Sequence, residues 1–250
     1  MTVNHTLDQL RELRLHGMAE GLEVQLHQQQ AYTELPFEQR MGMVVDAEVS
    51  YRNTARFNRL MKNAKLKFHA EPEDFDFRPD RALDRAVIAD LLTCEWIKRK
   101  RNLIITGKTG TGKSWAACAF AVQAARKGMP VLYKRVTRLL EEMAIAHEDG
   151  SIGKLRNHLA KHQVLLLDDF GLVPLTARGK SDLLEILDDR IGTASTIVMG
   201  QMPTKEWHGF INDPALADAI LDRLLHSSYR LALKGETLRG DLGEGSLPRL

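Results

Sequence analysis

The sequence predicts an α/β protein whose core is a three-layer arrangement, with a parallel sheet covered by helices, behind a small helical N-terminal region. Two observations predict this class. From residue 82 onward, short apolar runs alternate with helical patterns of about ten or more residues, whereas the preceding part holds helical patterns only. An apolar fraction of 44% in 250 residues also suffices for a sizeable core.

The N-terminal region is predicted to be a helical domain over residues 1–69. Apolar residues follow helical spacing over residues 7–26, and the stretch "QQQAYTELP" then interrupts the pattern. A second helix starts near Pro36, because proline suits the first turn of a helix. Acidic residues and prolines over residues 70–81 predict a linker, which leaves residues 82–250 as the core domain.

The elements of the core follow one another in a regular order. A helix over about residues 82–97 precedes the strand "NLIIT", a glycine-rich loop and a helix that ends at Gly128. The strand "MPVLYKRV", the helix "TRLLEEMAIAHEDG" and the amphipathic stretch "IGKLRNHLAKH" lead to the strand "VLLLDDF". A helix over about 177–191, the strand "STIVMGQ", a helix around 213–227 and the strand "YRLALKG" complete the domain.

Composition excludes several classes of function. No apolar run approaches the roughly 20 residues that a membrane helix needs, and "MTVNHTLDQLRELRLHG" lacks the apolar segment of a signal peptide. Cys94 and Cys118 lie in apolar helical patterns, which favours structural thiols, so we expect a cytoplasmic protein with no membrane partner. The net charge of +2 is too small to indicate nucleic-acid binding, which must therefore be argued from local clusters.

The loop "GKTGTGKS" matches the pattern G-x-x-x-x-G-K-[ST] and lies between a predicted strand and a predicted helix. Its glycines let backbone N–H groups turn toward phosphates, and the helix N-terminus adds partial positive charge. We expect Lys113 to reach the β- and γ-phosphates of ATP and Ser114 to ligate Mg²⁺; a glycine-rich turn without a ligand is the alternative. The predicted ATP-binding residues here are Gly107, Lys108, Thr109, Gly110, Thr111, Gly112, Lys113, Ser114 and Trp115.

The strand "VLLLDDF" ends in two carboxylates at the edge of the sheet where ligands of parallel sheets bind. Asp168 is predicted to hold Mg²⁺, and Asp169 to orient or deprotonate the attacking water. The alternative is that one aspartate only caps the following turn. A strand–helix unit between the two motifs, with an acid beside the metal-binding strand, favours a hydrolytic ATPase over a small-molecule kinase.

With these motifs, the chain resembles AAA+ P-loop ATPases of the IstB/DnaC type, and most closely the IstB transposition helpers of bacterial insertion sequences. The resemblance runs from about residue 7 to about residue 240. It includes "LRELRLHGMAEGL", "DDFGLVPL", "MPTKEW" and "AILDRLLHSSYRLALKGETLR". It implies an AAA+ (ASCE) core that binds ATP and Mg²⁺, assembles with copies of itself on duplex target DNA, and activates a partner transposase.

The resemblance also implies roles for three residues outside the two phosphate motifs. Gln201 takes the sensor 1 position near the γ-phosphate, Arg223 matches the arginine finger that reaches the ATP of a neighbouring subunit, and Arg239 is a candidate second sensor. Structural alternatives remain for each. Gln201 could satisfy backbone groups at a strand end, Arg223 could pair with Asp218 or Asp222, and Arg239 could be a solvated tail residue.

The sequence departs from the usual AAA+ pattern in two places. Asp169 stands where most of these enzymes carry glutamate, and its side chain is one methylene shorter, so we expect slow intrinsic hydrolysis. The residues after Arg239 are few and rich in glycine, so we expect no full C-terminal lid.

Two basic sets are candidates for DNA contact. Arg52, Arg56 and Arg59 fall on one face of a helix, and no acid occurs over residues 50–69. The resemblance favours a second set in the core, where an insertion contacts DNA in related initiators and loaders: Lys134, Arg135, Arg138, Lys154 and Arg156. No aromatics are interleaved with these cations, which predicts binding to the duplex backbone with weak sequence preference. A solvated helix face is the alternative for the first set.

Three other functions stay open at this point. A replicative helicase loader would share the core but prefer single strands. A small-molecule phosphotransferase would need an acceptor pocket and a lid, for which the sequence gives no pattern. A nucleotide-binding scaffold would bind ATP without hydrolysing it, and replacing Asp169 would then change nothing.

Overall fold

The computed structural model of the chain describes residues 3–78 and 83–237. The chain divides into two compact units, Met1–Arg59 and Leu60–Leu250. The helices of the first part are α1 (Val3–Glu12), α2 (His16–His27), α3 (Gln29–Tyr32) and α4 (Phe37–Ala64), the last of which runs across the division. The domain limits expected from the sequence stay a prediction.

In the helical unit, α2 packs closely against α4 at Gly17. A Cβ atom at this position would lie 2.5 Å from the carbonyl oxygen of Ala47, so only glycine allows the two backbones to approach this far. The Met18 N–H, in the first turn of α2, donates to the Glu48 carboxylate of α4 over 3.0 Å. Glu48 therefore satisfies an open N–H at the start of α2 from a different helix.

Glu48 is buried, with 6% of its surface exposed, and also accepts a hydrogen bond of 2.6 Å from Nε of Arg52. Burial alone would raise the pKa of Glu48. The hydrogen bonds from Arg52 and Met18, together with the charge of Arg52, outweigh burial and lower this pKa below its usual value. The carboxylate is thus held in its charged form inside the unit.

The second unit is built on a five-stranded sheet with the order β2-β3-β4-β1-β5, and every pair of neighbours is parallel. The strands are β1 (Asn102–Gly107), β2 (Val131–Arg135), β3 (Val164–Phe170), β4 (Ser195–Gly200) and β5 (Ser228–Leu233). The predicted parallel sheet is confirmed. The strand between β1 and β3 in the sheet is β4, whereas β2, which separates them in the sequence, lies at the edge.

The helices of this unit cover both faces of the sheet. They are α5 (Arg85–Leu92), α6 (Glu95–Lys98), α7 (Lys113–Arg126), α8 (Val136–Glu148), α9 (Ile152–Ala160), α10 (Ala177–Arg190), α11 (Trp207–Ile211) and α12 (Pro214–Leu225). Ile104 and Val198 pack in one buried cluster with apolar residues of α8, α10 and α12. Because side chains alternate along a strand, α7, which contacts β1, β3 and β4, covers the opposite face.

The continuous helix expected over residues 82–97 is wrong, because the chain forms two helices that separate at Cys94. Cys94 adopts a left-handed conformation with φ of 62°. This turn lets the buried side chain of Trp96 point back, and its Nε1 donates to the Leu91 carbonyl over 3.0 Å. The short helix α11 was also not predicted, since five residues are too few to give a helical pattern.

Residues of the segment expected to be a linker pack on α7. The ring of Phe75 lies 5.2 Å from Trp115 and 5.3 Å from Phe120, and both Glu71 and Glu73 form ion pairs with Arg126. The described part of this segment therefore lies on the second unit. Across the described parts of the chain, we find no helix whose length and apolar character would let it cross a bilayer.

Candidate nucleotide-binding site

The candidate site lies where β1, β3 and β4 end at one edge of the sheet. The glycine-rich loop follows β1, Asp168 and Asp169 belong to the end of β3, and Gln201 comes directly after β4. A cleft of ≈ 340 Å³ brings these side chains together, which is the size of a small-molecule site. Arg239 lies outside the described residues, and so does the region predicted to lack a lid.

The glycine-rich loop opens directly into α7. Gly112, the residue before the helix, has φ of 89°, a backbone conformation that side-chain-bearing residues rarely adopt. Since Gly112 has no side chain to cap the helix, the first N–H groups of α7 stay available to a ligand. The Oγ1 of Thr111 donates to the carbonyl of Lys108 over 2.9 Å and fixes the loop from inside. This edge can therefore receive an anion such as a phosphate.

Lys113 reaches across the loop that precedes it. Its Nζ donates to the carbonyl oxygens of Gly107 and Lys108, each over 2.8 Å. The ammonium thus lies inside the curve of the loop, on the same cleft as Ser114 and Asp168. This is the position from which a lysine can contact the phosphates of a nucleotide.

Asp168 is the most enclosed carboxylate of the cleft, with 2% of its surface exposed. Its Oδ2 accepts hydrogen bonds from Tyr133 Oη (2.6 Å) and Ser114 Oγ (2.8 Å), and Lys67 Nζ lies 3.3 Å away. Burial by itself raises the pKa of Asp168, but these hydrogen bonds and the charge of Lys67 lower it below its usual value. Burial and the bond to Asp168 together raise the pKa of Tyr133.

Asp169 differs from Asp168 in backbone and in partner. Its φ of 61° is left-handed, and the pairing between β3 and β4 shifts register between Leu167 and Phe170. A non-glycine residue held in this conformation stores strain, which in proteins concentrates at functional sites. The Oδ2 of Asp169 lies 3.0 Å from Nε of Arg135, at the end of the neighbouring strand β2.

Arg223 does not line this cleft. It lies on α12, where Asp188 of α10 accepts from its Nε and the carbonyl of Ala219 accepts from Nη1. Asn102, the first residue of β1, donates to the backbone carbonyl of Arg223 over 2.8 Å. The ion-pair partner is therefore neither Asp218 nor Asp222, and Arg223 lies at the amino edge of the sheet, opposite the edge that holds the glycine-rich loop.

The two predicted DNA sets differ in their local partners. In the core set, Lys134 pairs with Glu142, Arg135 with Asp169, Arg138 with Glu141, and Arg156 with both Glu185 and Asp189. Lys154 is exposed. On α4, Arg52 pairs with Glu48, whereas Arg59 forms no ion pair with any residue that the structure describes. The carboxylates paired with Lys134, Arg135, Arg138 and Arg156 would compete with DNA phosphates for these cations.

Lys67 and Tyr133 are contacts of Asp168 that sequence reasoning missed. Tyr133 pairs with Leu166 in the β2–β3 register, and Leu166 and Asp168 share a face because side chains alternate. Strand alternation thus explains why Tyr133 and Asp168 share a face, whereas the pairing register that brings them together is set by the fold. No local pattern pointed to Lys67, whose neighbour in the fold lies far away in the sequence.

The donor set fits a magnesium-bound nucleoside triphosphate. Ser114 Oγ and Asp168 Oδ2 are oxygen donors 2.8 Å apart, and Mg²⁺ prefers oxygen ligands from one or two side chains together with phosphates. Within the described residues no group of three or more histidines, cysteines or carboxylates forms a metal cage, so the other ligands of a metal here would be phosphate oxygens and water.

Comparison with known proteins places this geometry in a family. Residues 8–242 match the profile of the family described as IstB-like ATP binding protein. The chain is 42% identical to the insertion sequence ATP-binding protein y4pL of Sinorhizobium fredii over 96% of its length and 97% of that protein. It is 47% identical to the IS1162 ATP-binding protein of Pseudomonas fluorescens, over 82% of this chain and 88% of that one.

Solved structures show the same fold at low sequence identity. The DnaC helicase loader superposes with a TM-score of 0.55 at 17% identity, over 68% of this chain and 100% of that one. AMPPCP-bound DnaA from Aquifex aeolicus superposes with a TM-score of 0.57 at 18% identity, over 69% of this chain and 52% of that one. The fold is that of P-loop AAA+ domains, and the chain belongs to the IstB-like ATP-binding protein family.

Proposed function

We propose that the protein is an ATP-dependent regulator of DNA transposition, which assembles on duplex DNA and activates a partner transposase. The placement of Arg223 carries the proposal. This arginine is fixed at the edge of the sheet opposite the nucleotide cleft, so it could meet a nucleotide only on a neighbouring copy. Similarity to ATP-binding proteins of insertion sequences supports the assignment to transposition.

In this proposal the residues of the cleft have separate roles in binding and hydrolysing ATP. The loop N–H groups and Lys113 bind the phosphates, Ser114 and Asp168 hold Mg²⁺, and Gln201 contacts the γ-phosphate or the attacking water. When bound, Mg²⁺ would supply positive charge against the phosphate oxygens. Asp169 would orient the water; because Arg135 holds its Oδ2 and its side chain is one methylene shorter than that of glutamate, hydrolysis by the isolated protein would be slow.

The neighbouring copy would supply Arg223 to the γ-phosphate. In this contact the guanidinium would exchange the Asp188 carboxylate for phosphate oxygens and so keep a negatively charged partner, while the partly exposed Asp188 would be left to solvent. ATP would then act as an assembly switch, since hydrolysis removes the group that joins the two copies. The buried free thiols of Cys94 and Cys118 support a cytoplasmic location for this assembly.

Light scattering on the purified protein with a duplex of about 60 base pairs tests the assembly. We expect a large complex with duplex and ATP or a non-hydrolysable analogue, and none with ADP or without nucleotide. The Lys113→Ala variant should fail to assemble. Assembly only on single strands would favour a helicase loader, and assembly without nucleotide would contradict the switch.

Mixing two inactive variants tests the arginine across subunits. We expect Arg223→Ala to bind ATP normally and to lose about 10³-fold in turnover, the effect of a missing arginine finger. Asp169→Ala should also be inactive, and a mixture of the two should regain turnover because one copy supplies Arg223 and the other Asp169. No recovery in a mixture that still assembles would show that Arg223 does not act in trans.

A further inference from the structure

Three donors converge on a single oxygen of Asp168. Tyr133, Ser114 and Lys67 all contact Oδ2, whereas Oδ1 accepts from the backbone N–H of Asp169 over 2.9 Å. Tyr133 and Ser114 are neutral, so Lys67 supplies the only formal positive charge among these donors. Oδ2 is also the oxygen that Ser114 shares, and hence the one that would bind a metal together with Ser114.

Lys67 lines the cleft in addition to contacting Asp168. Together with Phe68 it lines the same cleft as Thr109, Gly110 and Lys113. Its side chain is 29% exposed, so Lys67 contacts the buried carboxylate without being sealed from the cleft.

An ammonium and a divalent cation cannot share Oδ2 without strong repulsion, because the carboxylate is buried where charges are poorly screened. A metal that arrives alone must therefore displace Lys67 and leave it without a counter-ion. A metal that arrives with a nucleoside triphosphate brings phosphate oxygens into the cleft that Lys67 lines, and these offer the ammonium a new partner.

We propose that Lys67 makes metal binding depend on the nucleotide: it competes with Mg²⁺ for Asp168 and moves to the phosphates when the metal enters with ATP. This inference rests on the proposed binding of ATP and Mg²⁺ in the cleft. Lys67 is here a residue that determines which ligand enters, and it takes no part in bond breaking.

Mn²⁺ binding measured by electron paramagnetic resonance tests this directly, without hydrolysis. In the absence of nucleotide, Lys67→Met should bind Mn²⁺ about tenfold or more tightly than the unchanged protein, since a competing charge is gone. With a saturating non-hydrolysable ATP analogue present, this difference in Mn²⁺ affinity should shrink severalfold, because Lys67 of the unchanged protein has then moved to the phosphates and no longer competes for Asp168. The loss of the difference when nucleotide is bound is the signature of the exchange.

Three matched variants separate charge from packing. Lys67→Arg keeps the charge and should behave as the unchanged protein, whereas Lys67→Gln drops the charge, keeps a hydrogen-bond donor and should follow Lys67→Met. Lys62→Met removes an exposed lysine of α4 and should change neither affinity. Lys67→Gln also serves if Lys67→Met fails to fold, which thermal melting would reveal.

The outcomes distinguish this inference from the proposed function. Unchanged or weaker Mn²⁺ binding in both charge-removing variants would overturn the role of Lys67, even if ATP binds normally. If the unchanged protein binds no ATP analogue with or without metal, the proposed function fails, whatever the Mn²⁺ affinities of the variants are.

Discussion

The nucleotide cleft and the helical unit Met1–Arg59 use their apolar residues in opposite ways. The strands that carry the cleft are almost wholly buried: Leu103, Ile105, Leu166 and Ile197 are each 0% exposed. In the helical unit, Phe37, Met41, Val45 and Val49 recur every four residues along α4 and stay 42–63% exposed. The strands bury their apolar side chains in the core, whereas α4 leaves these apolar side chains exposed.

This difference indicates how each region acts. The strands that lead to the cleft are packed from both faces, so the positions of the strand ends follow from the fold. The helical unit depends on a few close contacts, among them Gly17 against α4 and Glu48 against α2. We therefore expect changes in the cleft to alter ligand affinity and changes in the unit to alter its own stability.

The largest expected effect is in the cleft. Lys113→Ala should weaken ATP binding by about 100-fold or more, because a charged donor to the phosphates is lost. Titration with a fluorescent ATP analogue measures this change, and the melting temperature should stay nearly constant. Lys205→Ala, which removes an exposed lysine that does not line the cleft, is the control and should leave the affinity unchanged. Equal affinities for both variants would contradict a phosphate contact of Lys113 in the cleft.

A smaller effect is expected in the helical unit. Gly17→Ala should destabilise it by about 1–3 kcal/mol, since the new Cβ meets the Ala47 carbonyl and the helices must separate. Gly42→Ala, on the same helix pair but with open space around it, should stabilise by about 0.5–1 kcal/mol.

Two signals in urea unfolding separate the units. All three tryptophans follow residue 59, so their fluorescence reports the second unit, whereas circular dichroism reports helices in both. Gly17→Ala should shift only an early part of the circular dichroism curve. A common shift of both signals would mean that the two units unfold together.

The charge on Glu48 gives the helical unit a dependence on pH. Its pKa in the folded protein is lowered, so its contribution is present above the unfolded value of about 4.3 and is lost as the pH falls through the folded value. Glu48→Gln should therefore lower the melting temperature at pH 7. The further fall in melting temperature between about pH 5 and pH 3 should be smaller in this variant than in the unchanged protein. Asp46→Asn, an exposed acid of the same helix, should leave the pH profile unchanged.

The smallest effect concerns DNA. Arg59→Ala should reduce the slope of log affinity against log salt by about 1 and leave stability unchanged, as for the loss of one phosphate contact. Arg156→Ala should instead lower stability by about 1 kcal/mol or less, because its ion pairs with Glu185 and Asp189 are lost at a partly exposed site. Duplex titrations at several salt concentrations measure the slope, and thermal melting measures the stability. A larger change of slope for Arg156→Ala than for Arg59→Ala would indicate that the core set, rather than Arg59, contacts DNA.

The features that the sequence predicted best are those set by neighbouring residues. A strand, a glycine-rich loop and a helix in succession determine where Lys113 and Ser114 lie, and the apolar run before Asp168 determines its edge of the sheet. Features set by distant residues could not be predicted. Asp188, rather than Asp218 or Asp222, holds Arg223 because α10 packs against α12, and helix packing leaves no local pattern.

If DNA binds the core set, the guanidinium of Arg135 would serve both a DNA phosphate and Asp169, with which it forms an ion pair. If Arg135 serves a DNA phosphate, Asp169 loses its partner, and if it holds Asp169, the duplex loses a contact. Thermodynamic linkage then requires reciprocity. A ligand that draws Asp169 away from Arg135 would strengthen DNA binding, and DNA would strengthen the binding of that ligand by the same factor. A duplex would thus change the affinity of the nucleotide site as well as being the DNA that the protein binds. ATP, by engaging Asp169, would in turn change the affinity for DNA.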